Sequence, residues 1–367
     1  MSLFRSLLAA ASLLGAAPFA ITGCGASDSV DDRLSSAAQM AIPARHNTVI
    51  ADGCALEPWQ KQVLASPSGQ RVIQDVVLLC FIPRFDGTVS PADPSAKNAL
   101  AAEAQSLRAR GYKVRIGVSF TDETGGKYDG NQTAQRLAAP EWRSAVIAEL
   151  QARSSAFDGL ELDFQSLPNG ARDAVGQFVE ELAPKIRPLK SLGVFLPPSV
   201  TLPSDLPGGD AFDVARLSRS ADDLRVMTLD FSCCGAGAGP TIESGWAVDA
   251  VRLARSQAGG ARISVAYPLY GVDFSRAGER LVTYLEAKGL AALHGLTPAR
   301  GPTGTPNFRY LDPNGESHEL WYDDSESILR TLRAWGPEVF PIDVGVVFYG
   351  LGAEDPILWR EMARGLP

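Results

Sequence analysis

Residues 157–168 read FDGLELDFQSLP (Phe157 to Pro168). Within this stretch GLELDF alternates, with Leu160, Leu162 and Phe164 on one side and Glu161 and Asp163 on the other. Alternation with a period of two is the mark of a β-strand. The next step of the same alternation carries Gln165, and Asp158 stands just ahead of the run. The acidic face is expected to point into an enclosed space at the end of a strand, because the opposite face is wholly apolar.

Six further runs have the same strand-like character: VVLLCFI (76–82), KVRIGVSF (113–120), LGVFLPP (192–198), LRVMTLDF (224–231), RISVAYPLY (262–270) and DVGVVFYGL (343–351). Runs this rich in Val, Ile and Leu read as strands buried on both faces, and therefore parallel. An eighth, weaker strand is expected near residues 47–52 or between the first two runs. Helical stretches lie between them. Residues 94–111 run from a Pro to a Gly at helix-end positions, and residues 170–186 and 326–336 place apolar residues at three- and four-residue spacing. This alternation predicts an α/β chain folded as a (β/α)8 TIM barrel. The competing open, doubly wound sheet usually carries a Gly-rich turn after its first strand. Here IPRFDGTVS follows the first long run, with one Gly. From about residue 273 to 320 the rhythm breaks into a helix-like piece, a Gly/Pro/Thr stretch, and FRYL and HELWY flanking a DPNG turn. This predicts a small α+β hairpin insertion after the seventh strand, on the rim where barrel active sites lie.

The chain of 367 residues begins with one early cation, Arg5, and an apolar run broken by Pro18, which predicts a signal peptide over residues 1–23. Ile21-Thr22-Gly23-Cys24 resembles a bacterial lipobox, which implies lipidation of Cys24. The protein is then expected to be exported and lipid-anchored at a bacterial membrane in the cell envelope, with residues 24–45 as a small, polar tether and the barrel over 46–367. The net charge of −8 disfavours nucleic acid and anionic lipid as partners, since both need basic patches. Cys54, Cys80, Cys233 and Cys234 remain for disulfides, with pairing left open. No C-x-x-C pair occurs, and the three His (His46, His294, His318) form no H-x-x-x-H pattern, so neither a metal nor a cofactor is expected.

Acids at the C-terminal end of a barrel strand suit catalysis, and two of them at alternate positions crowd each other so that one holds a proton near neutrality. DGLELDFQ resembles the D-G-x-D-x-D-x-E signature of glycoside hydrolase family 18, the chitinase family. VMTLDFSCCG resembles that family's sixth-strand M-x-Y-D motif, VAYPLYG its seventh-strand P-x-Y-G motif, and GVVFYGLGAEDPILW its eighth strand. LDPNGESHELWYDDSESI and DFQSLPNGARDAVGQFVEELAP are similar to the bacterial branch of cell-wall glycosidases. The resemblance runs from about Val76 to Trp359. It implies catalytic positions at Asp158, Glu161, Asp163 and Gln165, and substrate-binding positions at Ser119, Asp230, Tyr270 and Tyr349. It also implies a substrate-assisted mechanism, in which Asp163 orients an N-acetyl group and the residue at position 165 protonates the glycosidic oxygen.

That last residue is Glu in the family and Gln165 here, and an amide donates no proton to a leaving oxygen. The sixth-strand Tyr is Leu229, the middle Asp is Glu161, the third-strand S-x-G-G element continues Ser119-Phe120-Thr121-Asp122, and Tyr349 stands where a Trp usually floors the sugar site. The sequence therefore favours a tethered barrel that binds N-acetylglucosamine-containing glycans, chitin-like or peptidoglycan, with impaired or no hydrolysis. The alternatives are an active or redirected glycosidase, with a proton from Glu161, Asp122, Glu123, Asp230 or Glu243, and a structural envelope protein. Six aromatics, Tyr267, Tyr270, Tyr310, Trp321, Tyr322 and Tyr349, are expected near the rim as sugar platforms. The oligomeric state is left open.

Overall fold

The computed structural model describes residues 42–93, 99–121, 129–200, 209–233, 236–301 and 303–366. Eight strands form the barrel: β1 (Asn47–Asp52), β2 (Asp75–Pro83), β3 (Lys113–Ser119), β4 (Gly159–Asp163), β5 (Ser191–Leu196), β6 (Asp223–Val226), β7 (Arg262–Pro268) and β8 (Gly345–Tyr349). Each pairs in parallel with the next, and β8 closes on β1 with Asn47 opposite Val346 and Ile50 opposite Tyr349. The weak strand near 47–52 is thus the first strand of the barrel. The run 224–231 is shorter as a strand than its sequence suggests, ending at Val226, where the Thr228 amide turns back onto the Val226 carbonyl at 2.9 Å; Asp230 beyond it is left-handed (φ 58°).

The outward faces of the strands and the inward faces of the helices make one apolar sheath. Between β3, β4 and the following helix, Arg172–Ile186, the rings of Phe120, Phe164 and Phe178 meet at centroid distances of 4.1 to 6.0 Å. The helices expected at 94–111 and 326–336 are present over Ala99–Ala109 and Ser325–Ala334, residues 94–98 lying outside the described residues. The second is capped at its N-terminus by Asp324, whose carboxylate accepts from the Ser327 amide. Among the described residues no helix is long and apolar enough to cross a membrane.

The folded body begins earlier than the expected tether boundary. Ile42 is buried and its amide donates to the Gly365 carbonyl, while Arg45 donates to the carbonyls of Trp335, Phe340, Pro341 and Val344. A guanidinium has five donors in a fixed fork and can saturate such a ring of carbonyls. Residues 42–45 therefore belong to the barrel. Cys54 and Cys80 are joined by a disulfide between the end of β1 and β2, and Cys233 is also disulfide-bonded. Cys24 and Cys234 lie outside the described residues.

The insertion is larger than one hairpin. Five antiparallel strands lie in the order 278–282, 271–275, 317–321, 306–311, 299–300, with the helix Tyr284–Leu293 on one face. The DPNG turn is present between Leu311 and Ser317, with Gly315 at φ 81°. The strand Gly271–Ser275, which follows β7 almost directly, is the one that roots this sheet to the barrel rim.

Candidate functional site

The inward side chains of the barrel fall into layers. Near the N-terminal end lies a network of charges. Both oxygens of Glu161 (0% exposed) are taken by arginines: Arg225 donates from Nε at 2.9 Å and Nη2 at 2.6 Å, and Arg115 from Nη1 at 2.7 Å. Arg115 also reaches Asp223 at 2.6 Å and Asp75 at 2.8 Å, and Arg225 donates to the Thr48 hydroxyl. Gly193 on β5 makes the space, since a Cβ there would lie 1.9 Å from Glu161 Oε2. Burial works against the charge of Asp223, but Arg225, Arg115 and Arg262 together hold its carboxyl at about 2. The expectation that Glu161 crowds Asp163 is thus overturned. The arginines one layer below, on β3 and β6, claim it, and no sequence period announces them. Gly193→Ala is expected to abolish folding or to lower the thermal midpoint sharply, which a melting curve would read.

Above the charges sits an apolar layer of Ile50, Val77, Leu79, Phe195, Leu229, Ala266 and Val347. Leu229 packs within it and offers the mouth no polar group. The mouth itself is polar. Asp163, 1% exposed at the end of β4, faces the Gln165 amide, whose Nε2 donates to its two oxygens at 3.0 and 3.3 Å, with the Ser119 hydroxyl at 3.4 Å. Across the barrel, Asp230 accepts a 2.5 Å hydrogen bond from the Tyr270 hydroxyl. Burial pushes the Asp230 carboxyl upward, the Tyr270 bond opposes this, and the Glu279 carboxylate from the insertion adds to it. Tyr349 joins the two sides, its ring 6.4 Å from that of Tyr270 and edge-on at 78°. Burial pushes its phenol well upward, helped by the charges of Asp52, Asp163 and Asp230. The structure therefore brings together Ser119, Asp163, Gln165, Asp230, Tyr270 and Tyr349, and adds Asp52 at the end of β1.

Two non-glycine residues among those described have positive φ, and both are here: Asp230 (φ 58°) and Ser166 (φ 57°), next to Gln165. Left-handed backbone at such residues is uncommon and costs on the order of 1–3 kcal/mol each. Tyr270→Phe is expected to raise the Asp230 carboxyl further, since the lost hydrogen bond is the influence that holds it down. A carbon-13 NMR titration of the carboxyl would show the shift, and an unmoved titration would contradict this pairing.

Other expected site residues are elsewhere. Asp158 lies at the N-terminal end of β4, where it accepts from the Val114 amide at 2.8 Å and Arg108 Nε at 2.9 Å. Burial opposes its charge, but those two bonds hold its carboxyl below the ordinary value, as a structural anion. Glu243 caps the helix Ser244–Gln257 by accepting from the amides of Gly245 and Trp246. Tyr267 is on the outward face of β7, packed on Trp335 and Phe348. Tyr322 is in the insertion's own core, and Tyr310 donates to Asp273. Of the six aromatics, Trp321 alone joins Tyr270 and Tyr349 in a cluster with Val272, Phe274 and Ala353. Asp122 and Glu123 lie outside the described residues. Asp52 was missed because NTVIADG is a weak run; the signal was an acid at its C-terminal end, in the same relation that Asp163 bears to β4.

The chain is similar to known proteins along most of its length. No family model matches it. It is 21% identical over 289 residues to the cortical fragment-lytic enzyme of Bacillus anthracis, covering 76% of this chain and 65% of that one. It is 25% identical over 250 residues to the cortical fragment-lytic enzyme of Bacillus subtilis (strain 168), covering 66% of this chain and 56% of the relative. The chain thus spans less than two thirds of the length of these relatives. Among solved structures, the chitinase from Chromobacterium violaceum superposes with a TM-score of 0.72 at 22% identity, over 87% of this chain and 98% of that one. The Bacillus cereus spore cortex-lytic enzyme SleL gives a TM-score of 0.72 at 18% identity, over 88% and 74%. A glutamate-to-glutamine mutant of the class V chitinase from Nicotiana tobaccum, in complex with NAG4, gives 0.67 at 13% identity, over 88% and 98%. The fold is the TIM barrel of these enzymes.

Proposed function

We propose that this chain is a glycan-binding barrel for polymers containing N-acetylglucosamine, with hydrolysis impaired or absent, held at the cell envelope by a lipid on Cys24. One observation carries the reading: the group that faces Asp163 at the barrel mouth is the Gln165 amide, which donates to that carboxylate at 3.0 and 3.3 Å. In this position an ionisable acid would be the proton donor to a glycosidic oxygen. An amide satisfies the same carboxylate and has no proton to give. General acid help is typically worth about 10²–10⁴-fold in rate. What remains is a mouth with hydrogen-bonding groups of both kinds, from Ser119, Asp163, Gln165 and Asp230, beside the aromatic faces of Tyr270, Tyr349 and Trp321. Such a mixture suits a sugar, which presents hydroxyls at its edges and C–H groups on its faces. The cortex-lytic and chitinase relatives give the substrate class its support, and the complex of a structurally similar chitinase with NAG4 gives it a size.

The redirected glycosidase keeps one specific point in its favour: Asp230 is a buried carboxyl pushed upward at the same mouth, as a proton donor needs to be. Glu161 and Glu243 drop out of that reading, being held by arginines and by a helix end respectively. The test pairs calorimetric titration of N-acetylglucosamine oligomers with a product assay on the same sample. Binding without product is expected. Product that survives Gln165→Ala and disappears in Asp230→Asn would establish the redirected enzyme instead, and an absence of binding would leave a structural barrel. Anchoring is tested by mass spectrometry of the mature N-terminus, where an unmodified Cys24 would exclude the lipid.

A further inference from the structure

The insertion carries a group of side chains that the barrel mouth does not use. Asp312, Glu316 and His318 belong to the DPNG turn and the strand after it, and one donor atom from each lies within 4.8 Å of the others. We propose that these three residues bind one divalent first-row transition-metal cation, of which Zn²⁺ is the representative.

The argument begins with the imidazole. His318 Nδ1 lies 2.9 Å from Oδ1 of Asp273, a residue only 3% exposed on the neighbouring strand. The other oxygen of Asp273 accepts from the Tyr310 hydroxyl at 2.7 Å and from Arg280 Nη2 at 3.3 Å. The Tyr310 ring stacks on that of His318, with centroids 4.7 Å apart and planes at 20°. A carboxylate on Nδ1 fixes that nitrogen as the donor, which leaves the lone pair on Nε2. A buried carboxylate that orients an imidazole whose second nitrogen is open is the outer-shell arrangement of metal-binding histidines. Asp273 is not one of the three donors, and its partners come from two further strands, so the orientation is independent of the acids on the turn.

The two carboxylates are held but not used up. Asp312 Oδ1 accepts from the amides of Asn314 at 2.9 Å and Glu316 at 2.8 Å, and Oδ2 from Asn314 Nδ2 at 3.1 Å. Glu316 Oε1 accepts from the Ala277 amide at 2.9 Å. Each carboxylate has about four lone-pair positions, so both keep capacity for a cation. Donors around a tetrahedral ion with bonds near 2.1 Å stand about 3.4 Å apart, which small side-chain rotations reach from the present spacing. One imidazole and two carboxylates suit Zn²⁺ and its neighbours, whereas Ca²⁺ and Mg²⁺ prefer oxygen throughout. The bound ion would tie the turn to the strand Ser317–Trp321, whose last residue, Trp321, belongs to the cluster at the barrel mouth.

The experiment is a calorimetric titration of ZnCl₂ into untagged, metal-stripped, full-length protein, with CaCl₂ as the contrast. One Zn²⁺ site and no Ca²⁺ heat are expected. The double variant Asp312→Asn, Glu316→Gln changes only partly exposed turn residues and leaves the fold intact. It should weaken Zn²⁺ at least about tenfold, and His318→Ala should abolish the site. Asp273→Asn should weaken it by about 10–100-fold, the usual effect of losing an outer-shell partner. X-ray absorption on the Zn²⁺ form should show a single imidazole in the first coordination sphere. Absence of Zn²⁺ heat overturns the proposal, and so does affinity unchanged in both the double variant and His318→Ala, which would place any bound ion elsewhere on the chain.

Discussion

Gln165→Glu is expected to gain glycosidase activity of about 10²–10⁴-fold over the unmodified chain, the range that general acid help supplies. A carboxyl at this position would stand where the amide nitrogen now lies, 3.0 and 3.3 Å from the two oxygens of Asp163. Two carboxyls this close do not both ionise; they share a proton, and one of the pair keeps it toward neutrality. That shared proton is what a leaving oxygen needs. The backbone around it is already set, because Ser166 holds its left-handed turn and Asp163 is pinned at the end of β4. Product release from a defined oligomer, measured for both proteins at several pH values, reads the gain. An inactive variant that still binds the oligomer would show that the Gln is not the sole lesion, and would direct attention to Leu229, which presents no hydroxyl to the mouth.

The second large effect concerns the floor beneath the site. Arg225→Met is expected to destabilise the fold by about 3–5 kcal/mol, the usual cost of breaking a buried ion pair from one side. Glu161 is fully buried and would lose two of its three guanidinium contacts. Glu161→Gln should cost a comparable amount, by leaving Arg225 and Arg115 short of an anion in the same enclosed space. Denaturant unfolding at neutral pH measures both. If either variant unfolds within about 1 kcal/mol of the unmodified protein, the network is dispensable. The same network predicts an acid limb. Asp223 is held at about 2, below the ordinary 3.8, so the folded state releases its proton more readily than the unfolded chain. Its contribution is present above the unfolded value and is lost as the pH falls from about 4 toward 2. Asp223→Asn should flatten that part of the stability profile.

Most of the fold was legible in the sequence. Strands β2 to β8 are runs of β-branched and large apolar residues, and burial on both faces leaves a parallel sheet wrapped by helices as the arrangement that satisfies them. The alternation GLELDF placed Asp163 at a strand end facing inward, and the VMTLDF and VAYPLY runs placed Asp230 and Tyr270 near it. The first assignment rests on side-chain direction within one strand, which the backbone enforces at each step. The other two rest on the resemblance of those runs to the family's motifs, since Asp230 and Tyr270 lie beyond the ends of β6 and β7. The start of the folded body at Ile42 and the extra strands of the insertion were not legible, because Arg45 gains its role only from four carbonyls about 300 residues away, and VDFS pairs with a strand about 45 residues later. The span expected for the insertion, about 273–320, agrees with the observed Gly271–Trp321.

What the sequence by itself determined is the kind of residue at each position of the mouth and of the layer beneath it: an acid at 163 and 230 and an amide at 165 above, a leucine at 229 below. No folding can make Gln165 a proton donor, because that incapacity belongs to the amide group itself. What only the tertiary structure decided is the company each residue keeps. Glu161 and Asp163 are equivalent by alternation, yet one meets two guanidinium groups and the other an amide. Asp158 is one residue from β4 and serves its opposite end. Electrostatics depends on distances across the barrel, from β3, β6 and the insertion, and those distances are properties of the closed sheet, absent from any single strand.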